Sequence, residues 1–296
     1  MLSFLPKPLV GIIAICLYTL NLSFWFTLLL LTALGKWLIP MAKWRRTWQH
    51  LLDKIPPAWV MGNNFIMWLT SRTRFEITGL ENLDPNTWYL LLANHQAWSD
   101  ILVLFRVFAK RVAPVRFFLK EELRWLPFVG QACWILDFPF MKRHSSKALA
   151  RHPELRLQDI ETTRKACAKF KDLPITLINF AEGTRFRSLK HQKQQSPYKH
   201  LLKPKAGGIA FTLAAMPEKL QQILDVTIVY APHRANFWDF CCGKIEKVTL
   251  AIRVLPIPGS WRGDYVEDKV FRQAFQAQIN QLWQEKDVEI DELLRN

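Results

Sequence analysis

The sequence predicts an α/β fold, a mixed sheet flanked by helices, joined to an N-terminal membrane-attachment helix or helical hairpin. Three observations predict it. No Asp, Glu, Lys or Arg occurs between Pro8 and Gly35. Beyond about residue 70, short apolar, β-branched runs alternate with helical stretches, the pattern of strands and helices laid down in succession. Half of the 296 residues are apolar and 22% are charged, which suits a packed core and excludes a disordered or collagen-like chain.

The uncharged run comes first. As a helix its 28 residues would measure about 42 Å, against a hydrocarbon core of about 30 Å. One tilted span fits. A kinked or re-entrant pair fits too, because Asn21 and Ser23 sit near the middle. The run is too long for the apolar core of a signal peptide. Lys36, Lys43, Arg45, Arg46, Lys54, Arg72 and Arg74 then stand against Asp53 alone, with Trp37, Trp44, Trp48, Trp59 and Trp68 among them. Basic and aromatic residues mixed in this way suit the headgroup level of a bilayer. By the positive-inside rule the body lies on the cytoplasmic side, of the inner membrane if the source is bacterial. Residues 1–70 therefore read as membrane anchor and interfacial segment, and 71–296 as one further domain. Strands are expected over 73–78, 88–93, 113–119, 133–138, 174–180, 224–231 and 247–254. Helices are expected over 99–109, 154–171, 206–216 and 267–283. No repeat and no Pro-, Gly- or Ser-rich linker divides the body.

Lys and Arg number 40 against 25 acidic residues, a net charge of +15. Such an excess calls for an anionic partner: nucleic acid, a membrane surface or a phosphorylated substrate. A second basic block holds Arg185, Arg187, Lys190, Lys193, Lys199, Lys203 and Lys205 and no acid. Its centre, 188–200, reads as a solvated loop, and its two ends as phosphate contacts. The five cysteines are odd in number and scattered, so neither a disulfide scaffold nor a zinc site is expected. Cys241 and Cys242 read as small buried apolar residues at a strand turn. His50, His144, His152, His191, His200 and His233 read as structural or surface groups.

Chemistry concentrates at two strand ends. After the apolar strand from Trp88 come Asn94 and His95, and Ser99 and Asp100 then open a helix. On one helix, residues five apart point about 140° away from each other. His95 and Asp100 meet only if the histidine lies in the turn, as strand–turn–helix provides. Asp100 would then hold one ring nitrogen and leave the other as a base. The second strand runs from Pro174 into Phe180-Ala181-Glu182-Gly183-Thr184-Arg185. A glycine there permits a tight turn, and an arginine offers a fork to a phosphate.

Asn94-His95-(four residues)-Asp100 followed by Phe180 to Arg185 resembles the two principal motifs of the 1-acylglycerol-3-phosphate (lysophosphatidic acid) acyltransferases. The resemblance extends over roughly 75–235. Lys120 to Gly130 and Phe138 to Arg143 are similar to the family's intervening block, with Arg143 in place of its phosphate-contacting arginine. The fourth motif usually carries a proline, and this chain departs from it with Ile223-Leu-Asp225-Val-Thr-Ile-Val-Tyr230. That variant resembles the branch containing lysocardiolipin and some eukaryotic acylglycerol-phosphate acyltransferases. The resemblance implies an acyltransferase domain over 71–296 and a catalytic pair, His95 and Asp100. It implies substrate contacts from Arg143, Glu182, Gly183, Thr184 and Arg185, with Glu182 to Thr184 shaping the turn. The acyl donor would be acyl-CoA or acyl carrier protein. The acceptor would be a lysophospholipid, lysophosphatidic acid first, with lysophosphatidylglycerol or lysocardiolipin as alternatives. No cofactor, metal or nucleic acid is expected. Two readings from other classes are a basic nucleic-acid-binding protein at the membrane and a metal-dependent hydrolase built on His95 and Asp100.

Overall fold

The computed structural model describes residues 2, 4–141, 155–168, 174–232 and 236–295. Residues 8–35 lie in one unbroken helix, α1 (Lys7–Leu38). It is the one helix among the described residues long and apolar enough to cross a membrane. Its partner is the next helix, α2 (Ala42–Thr70), so the hairpin forms between α1 and α2 and not inside the apolar run. Antiparallel contacts run its length: Leu2 N donates to Leu69 O, Asn21 Nδ2 to Asn63 Oδ1 at 2.9 Å, and Lys36 Nζ to Gln49 Oε1. Asn21 therefore does not break the helix. Its amide is satisfied across the hairpin, which removes the cost of a polar group in an apolar run. Leu9, Ile12, Leu20, Phe24 and Leu31 are exposed on its outer face.

Six strands form the main sheet: β1 (Arg74–Thr78), β2 (Tyr89–Ala93), β3 (Val115–Phe117), β6 (Thr176–Phe180), β7 (Gln222–Ala231) and β8 (Lys247–Pro256). Their spatial order is β1-β8-β7-β2-β6-β3. β7, β2, β6 and β3 are mutually parallel, and β8 runs antiparallel to β7. A second, two-stranded sheet pairs β4 (Leu119–Lys120) with β5 (Phe140–Met141). Every residue of β2 is buried, as expected of a central parallel strand covered on both faces. The pleat sends Leu90 and Leu92 into the cluster under the long C-terminal helix. Tyr89, Leu91 and Ala93 go into the cluster under α3 (Ser99–Phe108).

Several sequence expectations need correction. The span 133–138 is no strand; its first residues lie in helix α4 (Val129–Ile135). A short continuous apolar run carries no period that separates strand from helix, but Val129, Ala132, Cys133 and Leu136 do recur at helical spacing. All four face one cavity. The strand expected over 113–119 is split at Phe118 between the two sheets. The stretch 188–200 contains a short helix, α6 (Ser188–Gln194). Helix α5 (Leu155–Cys167) and helix α7 (Ala206–Ala215) lie where expected. Cys241 closes a short helix, α8 (Phe237–Cys241), against which α1 packs closely: a Cβ at Gly11 would lie 2.6 Å from Cys242 Sγ. The last helix, α9 (Lys269–Arg295), runs twelve residues beyond the expected end at 283. Its extension buries Lys286 and Asp287. Lys286 reaches Asp225 of β7 at 2.7 Å, and Asp287 accepts from the backbone N–H groups of Lys199 and His200.

Candidate active site

The two polar strand ends meet. Ala93, last in β2, registers with Phe180, last in β6, so the segments that follow leave the sheet side by side. Carboxyl ends of parallel strands are where α/β sheets place their sites. β7 continues past its last pairing with β2, Val226 opposite Ala93, and Asn94 takes over the ladder with its side chain. Its Nδ2 donates to Ile228 O at 2.9 Å and its Oδ1 accepts from Ile228 N at 2.8 Å. The amide imitates one more strand residue while the backbone turns away.

In that turn His95 Nδ1 lies 2.7 Å from Asp100 Oδ2. The same oxygen accepts from Gln96 N at 2.6 Å and Ala97 N at 3.0 Å. Asp100 is fully buried, and His95 is largely covered. A carboxylate only accepts, so Nδ1 carries the hydrogen, and in the neutral ring Nε2 keeps its lone pair. Nε2 has no hydrogen-bond partner among the described residues. The ring lies flat on Phe180, with centroids 4.0 Å apart. That contact and Asp100 fix its plane.

Glu182 turns inward. It is buried, and its two oxygens accept from His95 N and Leu202 N, both at 3.1 Å. It thereby ties the histidine turn to the chain leading into α7. Gly183 adopts φ +66°, a conformation that disfavours any side chain. Thr184 accepts from Lys190 Nζ. Arg185 places its guanidinium 4.8 Å from the centre of the Trp98 ring. Arg143 lies outside the described residues. Around the turn the charge is one-sided. The Lys190 ammonium is held below the usual lysine range first by desolvation, then by Arg187, Arg185, Lys120 and Lys205. An anion bound among these groups would relieve that repulsion.

Trp98 also lines the mouth of an apolar cavity of about 570 Å³. α1 and α2 contribute Trp25, Leu29 and Trp59 to its wall, α3 contributes Phe105, and α4 contributes Cys133. Sequence reasoning placed His95 beside Asp100 and the 182–185 turn at a strand end, and the structure brings these segments together. It missed Asn94 as the strand extension, Trp98 in contact with both Arg185 and the cavity, and Lys120 and Lys190. It also missed Tyr230, whose phenol donates to Asp100 Oδ1 at 2.7 Å. The available signal was the alternation of Val226, Ile228 and Tyr230 on one face of a strand passing that turn.

Known proteins resemble this chain over part of its length. The human 1-acyl-sn-glycerol-3-phosphate acyltransferase alpha is 27% identical over 193 residues, covering 62% of this chain and 54% of that one. The mouse epsilon protein of the same name is 24% identical over 242 residues, covering 74% and 63%. The chain thus spans between about half and two thirds of the length of these curated relatives. The crystal structure of the 1-acyl-sn-glycerophosphate (LPA) acyltransferase PlsC from Thermotoga maritima superposes with a TM-score of 0.54 at 19% identity. That superposition covers 93% of this chain and 95% of that one, and it shows a common fold. The Acyltransferase family model matches residues 74–231, a span that runs from β1 to the end of β7 and holds both motifs, and the chain therefore belongs to the acyltransferase family.

Proposed function

We propose that the protein transfers an acyl chain from an acyl thioester, acyl-CoA or acyl carrier protein, to the free hydroxyl of a lysophospholipid. Lysophosphatidic acid, giving phosphatidic acid, is the first acceptor. The observation that carries this reading is the unpartnered His95 Nε2, backed by Asp100, beside a cationic turn and three residues from Trp98, which lines an apolar cavity. Each neighbour suits one part of such a substrate. Arg185, with Lys120, Lys190 and Lys205 around it, suits the phosphate, and a cavity within the usual range of about 300–1,000 Å³ suits an acyl chain. His95 Nε2 takes the proton of the acceptor hydroxyl. The oxygen attacks the thioester carbonyl, the tetrahedral intermediate expels the thiolate, and the imidazolium returns its proton to sulfur. The acceptor supplies the nucleophile, so the enzyme forms no covalent intermediate.

We further propose that α1 and α2 hold the protein in the bilayer with the body on the cytoplasmic side. The outward apolar side chains of α1 and the basic residues at 36–74 support this. An acyl chain stays in the lipid phase at about 0.8 kcal/mol per buried CH₂, so an enzyme working on its headgroup gains by residing there.

The test is transfer of radiolabelled acyl groups by detergent-solubilised full chain, offered lysophosphatidic acid, lysophosphatidylglycerol and lysocardiolipin with either donor. Formation of labelled phosphatidic acid supports the reading, and transfer to another acceptor corrects the substrate. Absence of transfer from both donors, with steeply salt-dependent RNA binding, would favour the nucleic-acid alternative. Arg185→Ala is expected to raise KM for lysophosphatidic acid by about 10-fold or more, the usual worth of a charge-assisted contact. Arg185→Lys should recover only part, because an ammonium lacks the planar fork. An unchanged KM in Arg185→Ala would remove that residue from the phosphate site.

A further inference from the structure

The carboxylate that orients His95 is itself held from a different strand. β7 outruns β2 by five residues, 227–231, and its far end passes the turn that carries the dyad. Strand alternation brings Val226, Ile228 and Tyr230 into the cluster under α3. The Tyr230 phenol is 2% exposed and donates to Asp100 Oδ1 at 2.7 Å, while the Ser99 hydroxyl donates to the phenol oxygen at 3.2 Å. The two Asp100 oxygens are thereby divided. Oδ2 serves His95 Nδ1 and two backbone N–H groups, and Oδ1 serves Tyr230 alone among the described residues.

We propose that Tyr230 is a positioning residue of the catalytic dyad, a role that rests on the acyltransfer reading. Its hydroxyl fixes the plane of the Asp100 carboxylate and draws negative charge toward Oδ1. In doing so it sets how strongly Asp100 stabilises a protonated His95. Burial, and then the charge of Asp100, push the Tyr230 phenol well above the usual phenol range, so it stays a donor across the working pH range. Removing the hydroxyl leaves more of the carboxylate charge on Oδ2, beside the imidazole. Protonated His95 is then favoured, and less free base remains at a given pH. The other charged groups facing the dyad are Glu182 from the turn after β6 and Arg185 over Trp98, with Lys190 and Lys205 further round the same turn. None of them touches Tyr230 among the described contacts.

Tyr230→Phe in the full chain, in detergent, tests this. The ring stays, so thermal unfolding should remain within a few degrees of wild type. The value of kcat/KM should fall by about 10- to 150-fold, the range of one hydrogen bond to a charged group. The acid limb of its pH profile should move to higher pH. A residue that only packs would lower the rate equally at every pH and leave the limb in place, and that result overturns the proposal. The ¹⁵N-histidine titration of His95 should move in the same direction, and it needs no substrate. An inactive wild type would thus remove the acyltransfer reading while the ring titration still decides this one. In an Asp100→Asn background, adding Tyr230→Phe should cost no further activity, because Tyr230 acts through the carboxylate. A multiplicative loss would show that it acts elsewhere.

Discussion

His95→Ala should lower acyl transfer by at least about 10²–10⁴-fold, the usual contribution of a positioned base, while leaving the thermal unfolding transition close to that of wild type. The expectation of an intact fold follows from which atoms do the structural work. The backbone of this turn is held by His95 N to Glu182 and by Phe186 N to His95 O, and the sheet is extended by the Asn94 amide. None of these needs the imidazole. The ring itself contacts Phe180 and Asp100, and Asp100 keeps three other donors when the ring is gone. Turnover and circular dichroism on the same preparation check both halves. Retained transfer in His95→Ala would remove the dyad from the mechanism whatever the acceptor.

Asp225→Leu is expected to produce the largest loss of stability. Asp225 sits in the middle of β7 with its side chain fully buried, and its Oδ1 lies 2.7 Å from the Nζ of Lys286 on α9, itself fully buried. Oδ2 accepts from Arg253 Nη2 at 2.6 Å. The Lys286 ammonium donates to Val226 O and Thr227 Oγ1 and faces the Asp225 carboxylate as an ion pair. Without Asp225 that ammonium stays buried among neutral oxygens. Leaving one partner of a buried pair costs about 3–5 kcal/mol. For a chain of this size that is a fall in Tm of roughly 6–20 °C, at about 2–4 °C per kcal/mol. Arg253, which is partly exposed, can turn to solvent and adds little. The double variant Asp225→Leu with Lys286→Met should recover most of the loss, because apolar pairs of similar volume replace buried ion pairs at little cost. A single variant that melts with wild type would show that the pair does not hold α9 to the sheet.

The same pair shows where sequence reading stops. The strand Tyr89–Ala93 was legible because burial on both faces leaves an uninterrupted apolar run, bounded by polar turns. The last twelve residues of α9 were not. Lys286, Asp287 and Asp291 look like a solvated charged tail until their partners appear from Asp225 and from the backbone and side chains of Lys199 and His200, some 60 to 90 residues away. In the site, His95 and Asp100 were readable because five residues and one turn decide whether they meet. Gly183 was readable because a positive φ after a strand wants glycine. Tyr230 was not, since only the register of β7 against β2 brings it to Asp100. Helix α4 was misread because its apolar face turns to a cavity whose other walls come from α1, α2 and α3, and no local pattern records that.

That shared cavity also bears on how the protein can be handled. Tyr18, Leu22, Trp25, Phe26 and Leu29 from α1 and Ile55 to Asn63 from α2 form one side of it. A chain shortened to begin at residue 71 would keep the dyad and the cationic turn but lose the wall of the cavity that α1 and α2 supply. It would also uncover the apolar faces of α3 and α4 to water. Under the proposed function the hairpin is a tether and a wall at once, so trimming it for solubility would dismantle part of the cavity proposed to take the acyl chain.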